Sequence, residues 1–86
     1  MTQYAKRIDA NHQEIRDALE AVGCTVESAG PLDLIVGRDA RTYLLEIKTA
    51  KGKLRPKQAK FLARWKGHAA TVRTVDEAFS AVGVTR

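Results

Sequence analysis

"LDLIVGRDARTYLLEIKT", residues 32–49, decides how this chain folds. "LDLIVG" (32–37) is a β-prone run ended by Gly37, and "RDAR" (38–41) has the composition of a hairpin turn. "TYLLEIKT" (42–49) is the next strand, and its apolar density predicts burial on both faces. An antiparallel hairpin brings the start of its first strand beside the end of its second. Asp33 therefore meets Glu46 and Lys48 at one edge of the sheet. Side chains alternate along a strand, so Glu46 and Lys48 share one face while Leu45 and Ile47 share the other.

The elements around this hairpin follow from periodicity. "DANHQEIRDALEAVG" (9–23) predicts a helix, with Ile15, Ala18, Leu19 and Val22 at i, i+3, i+4 and i+7. Asn11 and Glu14 have the spacing of a capping box, and Gly23 suits the C′ position. "CTVES" (24–28) is a short strand and "AGP" (29–31) a turn. After the flexible "AKGK" (50–53), Pro56 fits the first turn of a helix reaching about Lys66, with Gly67 ending it. "AATVRTV" (69–75) predicts a strand, or a strand plus the entry to a helix, and "VDEAFSAV" (75–82) a short helix with Asp76 and Glu77 in its first turn. The order α-β-β-β-α-β-α implies an α/β (α+β) fold, a mixed sheet flanked by helices.

With 86 residues the chain is expected to form one small domain, of a size for which oligomerisation or a ligand adds useful stability. The single cysteine, Cys24, excludes an internal disulfide and reads as a buried structural thiol. No apolar run is long enough for a signal peptide or a membrane span, so the expectation is a cytoplasmic protein without a membrane partner. The net charge of +5 is unevenly spread. Residues 48–66 hold eight Lys and Arg and no Asp or Glu, whereas the rest holds seven basic and ten acidic residues. A one-signed stripe is the electrostatic footprint of a polyanion, although a solvated helix face is the plainer alternative. Within it Lys51, Lys53, Arg55, Lys57, Lys60 and Arg64 are the candidate DNA-binding residues.

A charged pair on one face of an apolar strand is costly when simply buried. It becomes sensible where that face lines a cleft for a metal and a phosphate. Asp33 and Glu46 repel each other unless a hard cation lies between them, and Mg²⁺ takes oxygen ligands while keeping several waters. The carbonyl of Ile47 lies between the Glu46 and Lys48 side chains and is a further candidate ligand. The Lys48 ammonium would stabilise charge developing on a phosphodiester. The plain alternative for Glu46 and Lys48 is an ordinary salt bridge. Leu54, Gln58, Phe61, Leu62 and Trp65 form one stripe on the second helix, expected to face the sheet, with Phe61 and Trp65 assigned to the core in preference to base-stacking platforms. Gln58, its polar member, either bonds a strand edge or orients a catalytic carboxylate, a water or a phosphate. Glu14 is either a capping residue or part of the metal site.

These residues resemble the PD-(D/E)XK nuclease superfamily, and are most similar to its small VRR-NUC and Holliday-junction-resolvase-like members from phages and bacteria. The resemblance rests on "GPLDLIVG" for the acidic motif, "LLEIK" for E-X-K, "LRPKQAKFLARW" for the helix with its Gln, and "NHQEI" upstream. It spans nearly the whole chain, although Pro31 is separated from Asp33 by Leu32, where the family's proline directly precedes the acid. It implies a restriction-endonuclease-like αβββαβ core and frequent homodimers. It also implies Asp33 and Glu46 as Mg²⁺ or Mn²⁺ ligands, Lys48 as the charge-stabilising amine, Glu14 as an accessory acid and Gln58 as a positioning residue. The expected activity is metal-dependent hydrolysis of DNA, on branched or structured substrates. Two other classes fit the basic segment: a non-catalytic nucleic-acid-binding or assembly module, and a protein-interaction domain.

Overall fold

The structure, a computed structural model, describes residues 10–28, 30 and 32–85. Three helices and four strands follow one another as α1 (Ala10–Ala21), β1 (Thr25–Ser28), β2 (Leu34–Arg38), β3 (Arg41–Ile47), α2 (Pro56–Arg64), β4 (His68–Val72) and α3 (Val75–Ala81). The fold is α+β with a mixed sheet in the order β1-β2-β3-β4. β1, β2 and β3 are antiparallel neighbours, and β4 joins β3 in parallel after the α2 crossover. Asp9 and most of the turn at 29–31 lie outside the described residues.

The β2–β3 hairpin turns through Asp39 and Ala40, both at positive φ (51° and 64°). Two such residues are what a two-residue turn needs to match the twist of its strands. This turn fixes the register, from Arg38 opposite Arg41 to Leu34 opposite Leu45. One step further sets Asp33 opposite Glu46, and the Asp33 N–H donates to the Leu45 carbonyl at 3.1 Å.

One face of the sheet carries the core. Val26, Leu34, Val36, Tyr43, Leu45, Ile47 and Val72 pack there against Ile15 and Leu19 of α1 and Ala78 and Phe79 of α3. Gly23 (φ 95°) closes α1, with the Gly23 N–H on the Glu20 carbonyl and the Cys24 N–H on the Leu19 carbonyl, both at 3.0 Å. Cys24 is buried behind this cap, as the sequence led us to expect. Burial pushes its thiol above the usual range; Arg38 opposes the rise and Asp39 adds to it.

The second face differs from expectation. Leu44 is half-buried, Thr42 exposed and Ile35 36% exposed, so β3 is not apolar and covered on both sides. Its one deeply buried residue is Glu46. α2 reaches this face through the hydrogen bond from Gln58 to Glu46 and buries none of its own residues. Leu54, Phe61 and Leu62 are half-buried, and Trp65 is 44% exposed, which overturns its assignment to the core. The helix also stops at Arg64, because Trp65 already takes an extended conformation (φ −75°, ψ 131°). The Asn11–Glu14 capping box does not form: Asn11 lies inside α1, and its amide is engaged elsewhere.

Candidate functional site

β2, β3 and α2 bring four of the predicted residues together. Glu46 points from the second face of β3 and is 2% exposed. Its Oε2 accepts from Gln58 Nε2 at 2.8 Å and lies 3.2 Å from the Lys48 ammonium. Its Oε1 is buried with no hydrogen-bond partner. Asp33, one residue before β2 and in register with Glu46, has its Oδ2 fixed by the Ile47 N–H at 2.8 Å.

Electrostatics follow from this crowding. Burial raises the pKa of Glu46 above the usual carboxylate range, and the Asp33 charge raises it further. Hydrogen bonds from Lys48 and Gln58 oppose the rise without cancelling it. A carboxylate kept this dry, beside another acid and with an orphaned oxygen, is an arrangement that stability alone disfavours.

Gln58 is held from both ends. Its Oε1 accepts the Arg55 N–H at 2.9 Å, just before the first turn of α2, while its amide nitrogen grips Glu46. Pro56 at the first helical position lets α2 begin there without an unsatisfied amide. Gln58 thus links the start of its own helix to the Glu46 carboxylate. An open cleft lined by Arg55, Pro56, Lys57 and Gln58 borders this contact.

The candidate donors, an oxygen of Asp33, Oε1 of Glu46 and the carbonyl of Ile47, are all oxygens of the kind a hard cation takes. Among the described residues no group of three or more His, Cys, Asp or Glu comes together. An ion here would keep several waters, as Mg²⁺ characteristically does. Glu14 is exposed and lines a separate groove with Ala18, Arg73, Thr74, Val75 and Asp76. The predicted DNA-binding residues Lys51, Lys53, Arg55, Lys57, Lys60 and Arg64 are all exposed.

Two residues that the sequence did not assign to the site, Asn11 and Arg73, brace it. Asn11 Nδ2 donates to the Lys48 carbonyl at 2.9 Å and to the Arg73 carbonyl at 3.5 Å. Arg73 Nη1 donates to the carbonyls of Thr49 (2.5 Å) and Gly52 (2.8 Å). Together they tie the end of β3 and the loop after it to α1 and to the end of β4. Their targets are main-chain carbonyls, which leave no signature in a sequence. The upstream "NHQEI" was the one pointer, and it is Asn11, not Glu14, that reaches the strand end.

No helix among the described residues is long and apolar enough to cross a membrane. Compared with known proteins, the chain matches no family model, no curated protein and no solved structure.

Proposed function

We propose that the chain is a divalent-metal-dependent DNA endonuclease with a restriction-endonuclease-like core, hydrolysing phosphodiester bonds in branched or structured DNA. The observation that carries this reading is the convergence of Asp33 and Glu46 beside the Lys48 ammonium, with Glu46 Oε1 dry and unpartnered. Asp33, Glu46 and the Ile47 carbonyl would hold Mg²⁺ or Mn²⁺. Such an ion, when bound, supplies charge neutralisation at the phosphate and a water of lowered pKa.

The chain's own groups do the rest. Gln58 and Lys48 occupy Oε2 of Glu46, which leaves Oε1 as the oxygen that would hold a cation. Lys48 sets a positive charge where the scissile phosphate gains negative charge. The exposed basic residues from Lys51 to Arg64 take the DNA backbone and fix its register without reading sequence. A two-fold homodimer, the assembly we propose, would present two such sites to a branched substrate.

The test is incubation of plasmid and branched DNA with purified protein and Mg²⁺ or Mn²⁺, with and without chelator. Chelator-sensitive products that disappear in Asp33→Asn and Glu46→Gln support the enzyme. Full activity in both variants rejects this site. One observation favours a second reading, a non-catalytic DNA-binding module. Glu46 already has a cation and an amide on Oε2, and among the described residues no third acid, His or Cys joins Asp33 and Glu46. That reading predicts retarded DNA without products.

A further inference from the structure

Trp65 is large, apolar and 44% exposed, at the end of the most basic element of the chain. It is not loosely displayed. Its extended backbone turns the indole back onto Phe61, with ring centroids 5.1 Å apart and planes 22° from parallel. The Arg64 guanidinium lies 5.6 Å from the centre of the Phe61 ring. Gly67 passes so close that a Cβ there would come within 2.9 Å of the indole Nε1. The chain thus pre-orders an exposed aromatic surface, which lowers the entropy lost when something binds it.

The surroundings say what that partner is. Lys57, Lys60, Arg64 and Lys66 are all exposed, and no acid occurs from residue 48 to 66. An aromatic surface bordered by cations is the composition of a single-stranded nucleic-acid platform: the cations track phosphates and the ring stacks on a base. Bases inside a duplex stack on one another and offer no free face.

We infer that the Phe61–Trp65 end of α2 is a stacking platform for an unpaired base, so that the DNA this protein engages carries a single-stranded segment. The inference rests on the DNA-binding part of the proposed function and is independent of catalysis.

Trp65 is the only tryptophan, so its fluorescence reports on the platform directly. Protein in chelator, where no metal-dependent cleavage proceeds, is titrated with an oligothymidylate of about 12 nucleotides, within the range of known single-strand site sizes, and with a blunt duplex of equal length. The expected result is quenching by the oligothymidylate. Trp65→Leu should weaken its binding by about 5- to 150-fold, the equivalent of one lost base stack, while duplex binding stays nearly unchanged. Trp65→Phe should retain most of the affinity. Because α2 buries none of its residues, the Leu variant should keep the wild-type urea midpoint; if it does not, wild-type quenching and the Phe variant decide. Unquenched emission at saturating oligothymidylate overturns the inference, as does equal loss for both DNAs. A blue shift on concentrating the protein alone overturns it too, since a second copy would then cover the ring. Quenching without cleavage anywhere leaves the platform standing and removes the enzyme; cleavage without quenching does the reverse.

Discussion

Replacing Lys48 by methionine isolates the electrostatic tension at the site. The substitution keeps an unbranched apolar stem, one heavy atom shorter, but removes the cation 3.2 Å from Glu46 Oε2. Glu46 is 2% exposed and Lys48 15%, so solvent screens this pair far less than a surface pair. Without Lys48, one amide hydrogen bond from Gln58 supports the carboxylate against burial and Asp33. Breaking a buried pair by removing one partner typically costs 3–5 kcal/mol; with Lys48 still touching solvent, we expect about 3 kcal/mol. For a chain of this size that is a fall in Tm of roughly 10–25 °C. The loss is pH-dependent, and its sign follows from Glu46. Its pKa is already raised in the folded protein, and losing Lys48 raises it further. Folded protein then binds the proton more tightly than unfolded chain, so stability drops as pH rises through the raised value. The deficit should be larger at about pH 8 than at about pH 5, because a raised pKa makes the folded state lose ground as pH rises. Urea titrations in chelator at both values measure it, with the slope m checked for constancy. In a Glu46→Gln background the same Lys48→Met change should cost less than about 1 kcal/mol, because no buried charge is left stranded. An equal loss at both pH values, or the same loss in the Gln background, would refute the reasoning.

Three further outcomes follow from particular contacts. Ala40→Gly should raise stability by about 0.5–1 kcal/mol, since alanine at φ 64° is strained and the relief exceeds the entropy glycine adds to the unfolded chain; a higher urea midpoint at constant m checks it. Arg73→Met removes both bonds that hold the loop after β3, so amide exchange at Gly52 should quicken about tenfold or more, and KM for DNA should rise more than kcat falls. Replacing Lys57, Lys60 and Arg64 together by alanine should lower the slope of log affinity against log salt for duplex DNA by about 3, one unit per lost phosphate contact, with the fold unchanged.

The order of elements was legible because each carried a local signal. The turn residues at 38–41, Pro56, Gly23 and the apolar periodicity of α1 all act within a few positions of themselves. The meeting of Asp33 with Glu46 was legible for the same reason: a short antiparallel hairpin converts sequence separation into register. Other features depended on distances that local pattern does not encode. The stripe on α2 showed which side turns toward the sheet, but not that the helix would sit shallowly and leave Trp65 in solvent. The burial expected on both faces of β3 failed on the same point: its second face holds a buried acid, and α2 leaves much of the remainder open. Asn11 looked like a cap because capping needs only three-residue spacing. Its actual partners, the carbonyls of Lys48 and Arg73, are far along the chain.

The claim that two acids and a main-chain oxygen grip one cation is tested most directly by metal titration of the folded protein, with urea stability as the readout. Saturation at 100 times Kd should stabilise the wild type by about 2.7 kcal/mol. The effect should be weaker at about pH 5 than at about pH 8, because the ion must displace the proton favoured by Glu46. Asp33→Asn and Glu46→Gln should each abolish it. A wild type indifferent to Mg²⁺ and Mn²⁺, or variants that gain as much as the wild type, would contradict the account.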